Sequence, residues 1–162
     1  MSKDKKQSGV LLHGVFDKAS LDVLAKKRPA VVYCPELRPA LEGARLMTKE
    51  LLRRKITPIV IADNMAGFLF YQGCVKEVWI ASQLGDRQGA LCDIGALIMA
   101  VLGKKHKVPV YAYPAGRKAR FIGKPREIFY FQGERIAPAR IQGYVPLMEW
   151  VPGKYITRIM TP

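Results

Sequence analysis

The 162-residue chain is 49% apolar and carries 27 Lys or Arg against 13 Asp or Glu, a formal charge of +14. That apolar fraction excludes a disordered chain, and the length suits one domain with a full core. The longest apolar run, Ile94 to Gly103, is about half of the roughly 20 residues a membrane-spanning helix needs, the charged N-terminus has no apolar signal segment behind it, and three cysteines without a C-x-x-C pair supply neither a disulfide framework nor a zinc site. The expectation is a cytoplasmic chain without metal, cofactor or membrane contact.

In chain order, Met1 to Ser8 reads as a mobile basic tail, and residues 9–162 as a single domain. Gly9 to His13 is a short apolar strand. Ala19 to Lys27 predicts a helix with Leu21, Leu24 and Ala25 on one face, broken by Pro29. Ala30 to Cys34 is the β-branched run of a strand buried on both faces. Pro39 suits the first turn of a helix running to about Lys55, with Leu41, Ala44, Thr48 and Leu51 in a 3–4 spacing and Arg53, Arg54 and Lys55 at its negative end. Ile56 to Ala62 is the next strand. Asp63 or Asn64 then caps a helix through Tyr71, which Gly73 ends. Val75 to Ala81 is a further strand and Gln83 to Gly89 a polar loop. Asp93 is placed to cap a buried helix, Ile94 to Lys105, and Val108 to Tyr113 follows as a strand. Beyond residue 114 the rhythm breaks. Ile128 to Phe131 suits an edge strand, and Tyr144 to Pro162 a segment folded back on the body or on a second subunit.

Strands and helices that alternate across short connections predict an α/β fold, a mostly parallel sheet with helices on both faces. Ligands of such sheets bind beyond the carboxyl ends of the strands, where helix N-termini favour anions. No G-x-G-x-x-G or P-loop is present, so a dinucleotide or nucleoside triphosphate is not expected. The charge is uneven: the last sixty residues hold 12 Lys or Arg against 3 Asp or Glu, and Arg117, Lys118, Arg120, Lys124 and Arg126 fall within ten positions. Such a cluster attracts phosphate, of nucleic acid or of a metabolite, or serves only as a solvated face. No nucleic-acid-reading motif accompanies it.

Several segments resemble one family, that of methylthioribose-1-phosphate isomerase, ribose-1,5-bisphosphate isomerase and the regulatory subunits of translation initiation factor 2B. They are Glu36-Leu37-Arg38-Pro39 with Leu41-Glu42-Gly43-Ala44-Arg45-Leu46, then Ile61-Ala62-Asp63-Asn64-Met65-Ala66, the Ile94-Gly95 pair, and Val151-Pro152-Gly153-Lys154-Tyr155-Ile156-Thr157. Leu12-His13-Gly14 falls where the family has a strand ending T-H-C. The resemblance spans about residues 9–162 and implies a Rossmann-like, doubly wound domain that dimerises. It also implies a sugar-phosphate site, with candidate contacts at His13, Gly14, Arg38, Glu42, Gly43, Asp63, Asn64, Ser82, Gln83, Asp86, Cys92 and Asp93.

Departures from the family pattern fall on its chemistry. The family's isomerases use a Cys and an Asp to move a proton. The Cys position is Gly14 here, and the Asp position is Ser82 or Gln83. An Asn-Lys pair that contacts substrate becomes Cys92-Asp93, and a Gln becomes Glu42. Glycine cannot titrate, and Ser or Gln cannot replace a carboxylate. The expectation is a divergent, non-catalytic member that binds a small anionic ligand or a protein partner and forms a homodimer through apolar tail residues such as Tyr144, Leu147 and Trp150. Two alternatives stand beside it: an isomerase with chemistry rearranged onto Asp86, Asp93 or Cys92, and a basic RNA- or ribosome-associated protein.

Single residues have plainer readings as well. Cys92 at a helix start is a candidate nucleophile or a buried thiol; Cys34 and Cys74 suit packing. Arg38 is equally suited to clamp a phosphate and to pair with Glu36 or Glu42. Asp63 suits a cap or a site, and Asp86 a relocated acid or a turn. His13 suits a ligand contact, and His106 a solvated helix-end cation.

Overall fold

The computed structural model describes residues 8–160. The elements in chain order are β1 (Gly9–His13), α1 (Lys18–Lys27), β2 (Val32–Pro35), a π-helical turn (Gly43–Met47) leading into α2 (Thr48–Arg53), β3 (Ile59–Ile61) and α3 (Ala66–Tyr71). There follow β4 (Val75–Asp86), β5 (Gly89–Asp93), α4 (Ala96–His106), β6 (Val110–Pro114), α5 (Arg126–Phe129), β7 (Tyr130–Phe131), β8 (Glu134–Arg135), β9 (Met148–Pro152) and β10 (Arg158–Ile159). The parallel part of the main sheet runs β10-β6-β4-β1-β2-β3; β5 pairs antiparallel with the C-terminal part of β4, from Ser82 to Asp86, and β9 pairs antiparallel with β5.

Strand side chains alternate between two cores, as a pleat requires. Leu11, Val78, Ile80, Val110 and Ala112 face Leu69, Phe70, Met99 and Ala100 of α3 and α4. Val10, Leu12, Trp79 and Ala81 face Leu21 and Leu24 of α1, with Met47 and Leu51, on the other side. Trp79 stacks on Tyr113 at 3.8 Å between ring centres within that second core. The doubly wound α/β architecture expected from the alternation is present. No helix among the described residues is long and apolar enough to cross a membrane.

Several local expectations are corrected. Pro39 does not open a helix. The chain turns through Leu37 and Leu41, both with positive φ; the π-helical turn starts at Gly43, where a Cβ would lie 1.9 Å from the Pro35 carbonyl oxygen, and regular α-helix begins only at Thr48. β3 keeps only three of the predicted residues, and as the sheet edge it leaves Ile59 and Val60 exposed. The expected loop 83–89 is a hairpin between β4 and β5, its turn closed by Asp86, whose Oδ1 accepts from Gln88 N and Gly89 N. α4 is not buried all round: Ile98 and Val101 are exposed. Residues 128–131 form the end of the one-turn α5 and a two-residue strand in a separate ribbon with β8, not an edge strand of the main sheet. The 144–160 segment folds back on its own body. β9 pairs with β5, and Val145, Leu147, Met148 and Val151 are buried within the chain, so these four are not free to hold a second copy. The expected basic tail covers residues 1–8, of which 1–7 lie outside the described residues.

Candidate functional site

The sheet mouth is built where β1, β2, β4 and β5 end. Gly14 follows β1 with φ +108°, a conformation open to glycine. A Cβ there would lie 2.5 Å from the Ala81 Cβ and 2.9 Å from Asp93 Oδ2. Both backbone and space therefore refuse a side chain at this position.

Asp93 ends β5. It does not cap α4: its carboxylate turns the other way, accepting from Val15 N at 3.4 Å and from Arg117 Nη2 at 3.0 Å. The same Arg117 nitrogen lies 2.8 Å from Glu42 Oε2. One guanidinium from the segment after β6 thus spans two carboxylates from opposite sides of the mouth. Gln83 supports it by donating from Nε2 to the Arg117 carbonyl at 2.8 Å. Burial pushes the Asp93 carboxyl above the usual range, while Arg117, His13 and the Val15 N–H pull the other way. The space left between Glu42, Asp93, Arg117 and Leu147 is about 20 Å³, no more than about one water site.

The start of α4 is capped from elsewhere. Glu149 of β9 accepts from Leu97 N at 2.8 Å, and Gly95, with φ +97°, lets His13 approach: a Cβ there would lie 2.8 Å from the His13 Cε1. His13 Nε2 donates to the Ile94 carbonyl at 2.9 Å, and its Nδ1 is buried and without a hydrogen-bond partner among the described residues. Asp63 does not cap its helix either. Its two oxygens accept from Leu37 N at 2.8 Å and Arg38 N at 2.7 Å, which ties the Asp-Asn-Met-Ala segment to the Glu-Leu-Arg-Pro loop as one unit. Beside this unit lies a larger cleft of about 520 Å³, lined by His13, Arg38, Asp63, Asn64, Ile98 and Glu149 among others.

The candidate residues therefore divide. Gly14, Glu42 and Asp93 meet at the mouth; His13, Arg38, Asp63 and Asn64 line the neighbouring cleft; Gln83 holds Arg117 from behind. Ser82 is buried and donates to the Tyr113 carbonyl at 3.2 Å. Cys92 is fully buried in the core, where burial and then the charges of Asp93 and Glu149 push its thiol well up, the opposite of an activated nucleophile. Cys34 is likewise pushed up to about 12 by burial and by Asp63. Gly43 serves the close approach to Pro35. Asp86 sits in the hairpin turn and lines neither cavity. Sequence reasoning missed Arg117 as a member of the mouth, and it missed Glu149 altogether. Arg117 is one of five clustered cations, and nothing in its spacing singles it out; Glu149 caps a helix about fifty positions away.

The profile of the Initiation factor 2 subunit family matches residues 7–162. The chain belongs to that family. Methylthioribose-1-phosphate isomerase of Syntrophus aciditrophicus is 35% identical over 142 residues, covering 80% of this chain and 39% of that protein. A Thermus thermophilus protein of the same name is 34% identical over 142 residues, covering 80% of this chain and 43% of that one. Among solved structures, 5-methylthioribose 1-phosphate isomerase of Pyrococcus horikoshii superposes with a TM-score of 0.82 at 26% identity, over 96% of this chain and 50% of that one. The translation initiation factor 2B delta subunit of A. fulgidus gives 0.81 at 21% identity, over 96% and 52%, a likeness of fold. The chain spans about two fifths of the length of these curated relatives and about half of the solved chains.

Proposed function

We propose that this family member acts by binding and does not run the aldose–ketose isomerisation named for its relatives. The observation that supports the reading most strongly is the mouth itself. Gly14 leaves no room for a thiol, and Arg117 occupies the space between Glu42 and Asp93. A phosphorylated sugar entering there meets two carboxylates sharing one cation. Proton transfer between sugar carbons needs a group that accepts and returns a proton beside the substrate; neither Ser82 nor Gln83 supplies a carboxylate, and both side chains are bonded to backbone carbonyls. Incubating the purified chain with methylthioribose 1-phosphate or ribose 1,5-bisphosphate and following the phosphorus NMR spectrum tests this. The expected spectrum is unchanged substrate; accumulation of the ketose overturns the proposal.

A second reading rests on Asp93. It is the one residue of the three candidates for relocated chemistry that stands at the mouth, and His13 and Arg117 both act on its charge. Under this reading Arg117 swings aside and Asp93 serves as the acid. Turnover that vanishes in Asp93→Asn would favour it.

Self-association belongs to the proposal too, through a surface other than the tail. Phe68 and Tyr71 of α3 and Ile98 and Val101 of α4 are exposed on two helices that pack together, and the β3 edge adds Ile59 and Val60 to the exposed apolar residues. Sedimentation of the parent chain and Phe68→Asp should give a dimer and a monomer; two monomers would remove this part.

A further inference from the structure

Three guanidiniums from separate segments converge on a third groove, which adjoins the mouth through Arg38, Pro39 and Ala40. Arg38 comes from the loop after β2, Arg45 from the π-helical turn before α2, and Arg120 from the segment after β6. The groove holds about 320 Å³ and is walled by Tyr130 and Phe131. The Arg38 guanidinium sits 4.8 Å from the Phe131 ring centre, and Arg126 lies 4.9 Å from that of Tyr130. One carboxylate reaches the groove, Glu127. It is engaged with Arg120 at 2.6 Å and with Lys124 N at 3.2 Å. Among the described residues neither Arg38 nor Arg45 is paired with a carboxylate.

Guanidinium forks match phosphate oxygens, and an aromatic wall next to them matches the face of a base. The volume suits one nucleotide unit at a time. A base that stacks on Tyr130 or Phe131 must be unstacked from its neighbours, which a single strand permits and a duplex resists. Residues 117–140 carry seven Lys or Arg against two Asp or Glu, and Lys118, Lys124, Arg126 and Arg140 are exposed outside the set of three. That further charge suits a polymer of phosphates better than a single one.

We infer that this groove binds single-stranded nucleic acid, with backbone phosphate on Arg38, Arg45 and Arg120 and a base against the Tyr130–Phe131 wall. The inference holds whether or not the mouth catalyses anything. The test is fluorescence anisotropy of a labelled ten-nucleotide oligouridylate with the full chain between 50 and 200 mM salt. Three phosphate contacts give a slope of log affinity against log salt of about −2. Arg45→Ala should flatten it by about 0.7, and Tyr130→Ala should weaken binding about 5- to 100-fold. Lys105→Ala, at the end of α4, should change neither, and thermal melts check that each variant folds. No binding at 50 mM salt overturns the inference. So does binding that Tyr130→Ala and Arg45→Ala leave at the parent value, since that marks diffuse charge; so does a duplex that competes as well as the single strand, or uridine monophosphate that competes as well per nucleotide.

Discussion

Replacing Arg117 by alanine tests the mouth most sharply as a piece of physical chemistry. In the parent, one guanidinium faces Asp93 Oδ1 at 3.0 Å and Glu42 Oε2 at 2.8 Å. Its removal leaves Asp93 buried with the Val15 N–H as its one hydrogen-bond donor among the described residues, and leaves two carboxylates at the mouth without the cation between them. Breaking a fully buried pair costs about 3–5 kcal/mol. The Arg117 and Glu42 side chains each keep 25% exposure, so solvent screening lowers the expected loss to about 2–4 kcal/mol. The pH dependence has a definite sign. Burial raises the Asp93 carboxyl above its ordinary 3.8 in the folded chain. Between that ordinary value and the raised one the folded state holds more protons than the unfolded, so this group's contribution is fully present at acid pH and lost as pH rises. Without Arg117 the carboxyl rises further and the window extends upward. Urea unfolding at pH 5 and pH 7.5 should therefore show the larger deficit at pH 7.5, and Asp93→Asn added to the Arg117→Ala chain should restore part of it. An equal deficit at both pH values, or no recovery in the double variant, refutes the charge account.

The other predictions concern geometry. Gly14→Cys should destabilise by about 2–5 kcal/mol through positive-φ strain and overpacking against Ala81; a melting temperature equal to the parent's would contradict the crowding at Gly14. Asp63→Ala removes the acceptor of two backbone N–H groups, so a loss of about 2–4 kcal/mol is expected, with faster hydrogen exchange at Leu37 and Arg38 and little change in the β4 strand. Of the three thiols, only Cys74 is partly exposed, and Cys34 is pushed up to about 12. Ellman's reagent at pH 8 should thus titrate about one thiol per native chain and three after denaturation; rapid reaction of Cys92 would sink the buried-thiol assignment.

How far the sequence reaches is visible in particular residues. The β1, β2, β4 and β6 runs announce themselves, because strands buried on both faces are apolar throughout. Gly73, at φ +68°, ends α3 where the sequence suggests. β5 and β9 escaped, since a hairpin made of Gln83 to Gly89 looks like a polar loop and the β5–β9 pairing joins segments about sixty residues apart. Asp63 and Asp93 look like caps from local position, and both carboxylates go instead to distant partners. The Ile94-Gly95 pair was legible as a motif, and its reason, the His13 ring packed against Gly95, needed coordinates. Arg117 was hidden among five cations because what distinguishes it is two carboxylates supplied by other segments.

Under the proposed function, the mouth neither admits a sugar phosphate nor moves its proton. One sample reads both: isotope-labelled protein titrated with methylthioribose 1-phosphate, with amide and phosphorus spectra recorded together. Unmoved Gly14, Val15 and Gly95 amides beside unaltered substrate are the predicted result. Saturating shifts at those three amides, with a ketose phosphate signal growing in, would contradict it.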